Sequence, residues 1–249
     1  MASIAVIRTQ IEHRLPGALS VRRHAPLETF PTGIAALDQQ IGGVAQSMLT
    51  QICMPKEISS GKSAMLNSLM AQLTRREHFC ALVDASDCFD PISAEVAGVD
   101  LSRVLWVRCG EWARYGEKKL KPLEQAFKAA DILVQNGGFG LIAVDLGNID
   151  ERHIRKIPLT TWFRFARVIE KMPAALVFLA TYPAAQSCAG MTLHMKSATP
   201  FWSRSVRASA QPHVRTLAEL GCEVEIGRSR LRKPVESARP KFTAAPVWA

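Results

Sequence analysis

Residues 48–69 read MLTQICMPKEISSGKSAMLNSL and fall into three parts. Leu49, Ile52 and Cys53 form a short apolar run that predicts a buried strand, and Pro55 ends it. Ser59, Ser60 and Gly61 make a small turn. Lys62 and Ser63 then open a helix in which Met65, Leu66, Leu69, Met70 and Leu73 recur at helical spacing. A strand that passes through a glycine turn into a helix N-terminus aims backbone N–H groups, the helix dipole and a lysine at one phosphate-sized spot. A serine directly after that lysine is placed to ligate Mg²⁺. The pattern GxxxxGK[ST] is incomplete, because Lys56 stands where its first glycine belongs. Without that glycine the backbone cannot approach a phosphate as closely. The stretch therefore predicts a phosphate loop in eroded form; the competing reading is an ordinary strand–turn–helix corner.

Working outward, Phe79–Asp84 (FCALVD) and Gly140–Asp145 (GLIAVD) are continuous apolar runs that each end in an acid. With Ala174–Thr181 they read as buried parallel strands, and Val104–Val107 reads as a further strand. Helices are predicted between them, over Pro91 to about Gly98, Pro122–Gln135 and Pro158–Lys171, each with proline at its start. Upstream, Ile34–Ile41 reads as a short helix closed by Gly42-Gly43. Ser3–Leu15 reads as an amphipathic helix (Ile4, Ile7, Ile11, Leu15) that can pack on its own domain, the expectation taken here, or on a neighbour, with Arg22, Arg23 and Pro26 in a linker. Residues 110–121 read as a polar, basic, mobile loop. Beyond Gly190, Leu193–Met195, Cys222–Ile226 and Phe242 predict shorter strands with polar turns. Strands alternating with helices define an α/β fold with a mostly parallel central sheet flanked by helices and a short antiparallel C-terminal extension. The division is residues 1–29 as helix and linker, then 30–249 as one core.

A chain of 249 residues with 48% apolar content is long enough for one large α/β domain. No apolar run approaches the ~18 residues of a membrane span. The early charges of the N-terminus do not fit a signal peptide, and the six cysteines show no CxxC or Cys/His pairing. These features point to a cytoplasmic protein without zinc and without a membrane partner. The net charge of +9 suggests an anionic partner. Residues 204–241 carry nine basic against four acidic side chains, a net +5 in the last fifth of the chain. Arg228, Arg230, Arg232 and Lys233 alternate with Ser229 and Leu231, which would set the charges on one face of a strand. That face is a candidate track for a DNA backbone; the competing reading is an edge strand protected by charge.

In open parallel sheets ligands sit beyond the carboxyl ends of the strands. That edge collects the Ser59–Ser63 turn, the segment from Asp84 to Asp90, and Asp145, which is placed to order the water shell of Mg²⁺. Hydrolysis also needs a group that orients or deprotonates water. The loop after Asp84 offers Ser86 and Asp87 and no glutamate.

These pieces together resemble the ATPase core of the RecA recombinase family. Thr32-Gly33 with Leu37-Asp38 and Gly42-Gly43 is similar to the segment before that family's phosphate loop, and Ser59-Ser60-Gly61-Lys62-Ser63 to the loop itself. Val83-Asp84-Ala85, Phe89-Asp90-Pro91 and Gly98-Val99-Asp100 resemble the next strand and its adenine-side loop. Val144-Asp145 resembles the magnesium-side strand, and residues 222–242 the terminal hairpin. The resemblance implies ATP and Mg as cofactors, with Ser59, Ser60, Gly61, Lys62, Ser63 and Asp90 on the nucleotide and Ser63 and Asp145 on the metal. Ser86 stands at the family's catalytic glutamate and Thr181 near its γ-phosphate-sensing glutamine. The segments 146–158 and 182–190 are short for DNA-binding loops.

The chain resembles the short RecA-like accessory proteins of the ImuA type more than RecA itself, through Leu15-Pro-Gly-Ala-Leu, Ile157-Pro-Leu-Thr and Trp162-Phe-Arg. That likeness implies a role in the SOS response to DNA damage, in error-prone translesion synthesis, through contacts with DNA polymerase-type proteins. Single-stranded DNA, RecA and further copies of the chain are the other implied partners. Two alternatives stay open: an active DNA-dependent ATPase or recombinase paralogue, and a cell-division inhibitor acting by binding a division protein.

Overall fold

The computed structural model describes residues 4–15, 27–54, 61–110, 121–202, 217–231 and 241–244. Helix α1 spans Ile4–Arg14, β1 Thr29–Phe30, α2 Ala35–Ile41, β2 Val44–Ala45, β3 Met48–Cys53 and α3 Lys62–Thr74. The middle of the chain supplies β4 Cys80–Asp84, α4 Pro91–Val96, β5 Val104–Arg108, α5 Pro122–Asn136, β6 Leu141–Asp145, α6 Glu151–Ile154, α7 Leu159–Ile169 and β7 Ala175–Ala180. Strands β8 Met191–Trp202, β9 Leu217–Ser229 and β10 Lys241–Ala244 complete it.

Eight strands form one sheet in the order β10-β9-β8-β3-β7-β6-β4-β5. The pairings among β3 to β8 are parallel, and β8–β9 and β9–β10 are antiparallel. This is the mixed, mostly parallel α/β architecture expected from the apolar runs.

Alternation along each strand sorts the core into two layers. Cys80 and Leu82 of β4, Leu141 and Ala143 of β6, and Val177 and Leu179 of β7 join Met65, Leu69 and Leu73 of α3 on one face. Ala81, Val83, Ile142, Val144, Leu176 and Phe178 face the other way, against Ala130 of α5 and Trp162, Phe165 and Ile169 of α7. The Trp162 ring meets Phe178 edge-on at 4.9 Å and Phe127 at 5.4 Å, so aromatic contacts fix α5 and α7 together on the sheet. The buried cysteines belong to this core: burial pushes the Cys53 and Cys80 thiols up to about 12 and Cys109 to about 11.

Three expectations need correction. Helix α1 forms as predicted, but among the described residues none of its side chains is buried: Ile4, Val6, Ile7 and Leu15 are exposed and Ile11 is half-buried, so the expected packing on its own domain is not seen there. Strands β8 and β9 are long, at 12 and 13 residues, where the sequence suggested short ones. Only Met191–His194 of β8 pair with β3, so the rest of the β8–β9 ribbon extends past the buried sheet, where no continuous apolar run is required. The proposed row of charges also breaks, because β9 ends at Ser229. Arg228 lies exposed opposite Thr192, whereas Arg230 lies beyond the strand. The Arg230 backbone N–H bonds the Gly190 carbonyl and its guanidinium donates to the Ser187 carbonyl at 3.1 Å. Arg232 and Lys233 lie outside the described residues, as do the 111–120 segment, Arg22, Arg23 and Pro26.

Candidate nucleotide site

Gly61 sets the geometry of the turn into α3. Its backbone is left-handed (φ 75°), and its carbonyl accepts the first helical bond, from Met65 at 3.0 Å. A Cβ there would lie 2.3 Å from Cys222 Sγ, so β9 packs directly on the turn. Ser59 and Ser60 lie outside the described residues. Ser63, in the first turn of α3, is exposed.

Lys62 turns toward the end of β6. Its Nζ lies 2.7 Å from Asp145 Oδ2, with side-chain exposures of 18% and 9%. The other carboxylate oxygen accepts the Gly147 N–H at 2.8 Å. Gly147 closes the arrangement, since a Cβ there would stand 2.8 Å from Lys62 Nζ and 3.0 Å from Asp145 Oδ1. The lysine and aspartate that the sequence set 83 positions apart are thus one ion pair at the carboxyl edge of the sheet.

The loop after β4 is fixed by its own side chains. Asp84, fully buried, accepts from the Ser86 N–H at 3.1 Å and the Phe89 N–H at 2.8 Å. Ser86 Oγ accepts the Asn148 N–H at 3.2 Å, and the Asn148 amide donates to Cys88 Sγ at 3.0 Å. Asp87 has a left-handed backbone (φ 52°) and is gripped by both ends of the Arg108 guanidinium, at 2.6 and 2.7 Å. Those hydrogen bonds hold its carboxyl below the usual carboxylate range. Asp90 caps α4, accepting from the Ile92 and Ser93 N–H groups at 3.2 Å each and from the Ser93 hydroxyl. The Ser93 hydroxyl is the main reason its carboxyl also lies low. A cavity of about 720 Å³ lies along α3, with Ser63, Asn67, Gly33, Ser93 and Phe242 on its walls; Lys62 and Asp145 are not among its lining residues. Asp90 itself is not on those walls; its neighbour Ser93 is.

Beyond β7, Thr181 Oγ1 is buried without a hydrogen-bond partner among the described residues. The buried Gln51 of β3 braces the next segment: its amide donates to the Tyr182 carbonyl at 2.7 Å and accepts from the Ala185 N–H at 3.0 Å. Arg155, paired with Glu151, lies over the Tyr182 ring at 3.9 Å and so links the connection after β6 to the one after β7. Among the described residues no group of three or more metal-ligating side chains converges.

Arg108, Gly147, Asn148 and Gln51 were not read from the sequence. Each acts through a contact between distant strands, and no motif marks that.

A mostly parallel sheet with a lysine at the start of the helix after β3, paired to the aspartate that ends β6 two strands away, defines the class: an open α/β arrangement with its charged groups at the carboxyl edge. Within that class, a sequence model of the RecA N-terminal domain matches residues 9–149, and the chain belongs to that family. RecA of Rickettsia massiliae is 30% identical over 129 residues, covering 51% of this chain and 34% of that protein. RecA of Leifsonia xyli subsp. xyli is 33% identical over 123 residues (49% and 31%), and RecA of Borrelia duttonii 30% over 150 residues (57% and 38%). The similarity thus spans about a third of the length of these relatives. No helix among the described residues is long and apolar enough to cross a membrane.

Proposed function

We propose that this chain is an accessory protein of the DNA-damage response that binds ATP weakly, does not turn it over, and acts through protein contacts in error-prone translesion synthesis. The observation that carries the reading is the loop after β4. The side chain at the expected base position is Ser86, occupied with Asn148, and the adjacent carboxylate, Asp87, is committed to Arg108. A carboxylate held ionised by a bidentate arginine is a weak proton acceptor.

The donor set suits ATP and magnesium. Lys62 and the first N–H groups of α3 would hold the phosphates, and Ser63 with Asp145 the ion. Magnesium supplies charge neutralisation at the phosphates. Asp145 is held in place for it by the Gly147 N–H. Links among residues 146–190 support partner contact over DNA-driven motion, since Gln51 and Arg155 tie both connections down. The likeness to ImuA-type proteins supplies the polymerase partners.

Phosphate release from ATP should stay at background with single-stranded DNA and be the same for Lys62→Ala. Pull-down from DNA-damaged cells should recover polymerase subunits; recovery of none contradicts the reading. The intact Lys62–Asp145 pair favours a second reading, an active DNA-dependent ATPase. DNA-stimulated release that Lys62→Ala abolishes would establish it.

A further inference from the structure

Asp145 is fixed before the lysine reaches it. Its carbonyl accepts the Ala85 N–H at 3.0 Å, the next N–H, of Leu146, bonds the Leu179 carbonyl at 2.8 Å, and Gly147 donates to Oδ1 at 2.8 Å. The ends of β4 and β7 thus hold its backbone, and Gly147 holds its carboxylate. Lys62 is tied down only by its place in the first turn of α3 and reaches the acid through a flexible four-carbon stem. Among the described residues its side chain makes no other hydrogen bond or ion pair. Of the two partners, the lysine is the one that can move.

We propose that this ion pair is a latch that makes nucleotide binding conditional on a divalent cation. With Nζ and Oδ2 at 2.7 Å no phosphate oxygen fits between them, and an approaching triphosphate meets a neutralised pair instead of a free cation. Moving Lys62 onto a phosphate would leave the Asp145 side chain, only 9% exposed, unpaired beside an anion. An unpaired carboxylate in such surroundings is costly. Asp145, with Ser63, would recover the missing positive charge from a divalent cation, which frees Lys62 for the phosphates. Such a coupling is reciprocal: nucleotide should tighten cation binding by the factor by which the cation tightens nucleotide binding. A pair that merely tied α3 to the sheet would produce no coupling. The inference rests on the nucleotide-site reading above and gives that site its control.

The test uses the full chain and a fluorescent ATP analogue, titrated once in EDTA and once in magnesium. Asp145→Asn is the central variant: it removes the charge, keeps an oxygen for the Gly147 N–H and adds nothing near Lys62. In EDTA it should bind the analogue about tenfold more tightly than wild type, the size of an ordinary coupling between sites. Magnesium should tighten wild-type binding by about that factor or more, and change the variant by less than about twofold. Asp145→Ser, which offers a shorter acceptor and no charge, should show the same gain in EDTA. In a Lys62→Ala background Asp145→Asn should bring no gain, which separates a latch on the lysine from a general loss of negative charge. Equal or weaker EDTA binding by both Asp145 variants, or the same gain with and without Lys62, would overturn the latch and leave the nucleotide site standing. No binding by any of these proteins, with or without magnesium, would overturn the site and the latch together.

Discussion

Lys62 and Asp145 meet at 2.7 Å because Gly147 leaves room for them. Gly147→Ala would push against the far end of a flexible lysine, so the fold should hold while the ion pair opens. The expected outcome is a melting temperature within a few degrees of wild type, with binding of a fluorescent ATP analogue weakened at least fivefold. Asp87 offers a pH test. Its folded value lies below the ordinary aspartate value of about 3.9, so the Asp87–Arg108 contact is complete above that value and is lost as pH falls through the lower, folded one. An NMR titration of the Asp87 carboxyl carbon should give a midpoint below the ordinary value in wild type and near it in Arg108→Ala. At this scale the sequence displayed Lys62, Ser63 and Asp145 because they sit in a local pattern of strand, turn and helix. It hid Gly147 and Arg108, whose roles exist only once β4, β5 and β6 lie side by side.

Helices and strands were legible wherever one face or both faces are buried. The 3.6-residue stripe of α7 and the unbroken apolar runs of β4, β6 and β7 are direct imprints of the core. Helix α6 has four residues and a cap from Asp150, too short to show a period. The outer β8–β9 ribbon carries no such imprint, and α1 shows an apolar stripe of which only Ile11 is half-buried among the described residues. Two predictions belong here. Trp162→Ala should cost about 3–5 kcal/mol in urea unfolding, because the side chain is fully buried against Phe178. Trp162→Phe should cost less than half of that, since it keeps the aromatic contacts and removes a buried indole N–H that has no partner among the described residues. Gln51→Leu would leave the Ala185 N–H unpaired and the Tyr182 carbonyl with only the Ala184 N–H, at a cost of about 1–3 kcal/mol. Hydrogen exchange at residues 182–190 should then quicken while α3 and β4 keep their protection.

Across the whole molecule, the two-layer sheet brings the turn at Gly61, the Asp84–Asp90 loop and the end of β6 to one edge, and β9 packs on that turn through Cys222. On the proposed reading, the chain keeps the parts that would hold a nucleotide, while Ser86 and Asp87, bound to Asn148 and Arg108, stand where the part that would spend it belongs. Equilibrium binding of a fluorescent ATP analogue to wild type and Lys62→Ala, with and without magnesium, tests this most directly. Saturable, magnesium-dependent binding by wild type, weakened at least tenfold (about 1.4 kcal/mol) in the variant, is the predicted result. Equal binding by both proteins, or none by either, would contradict it.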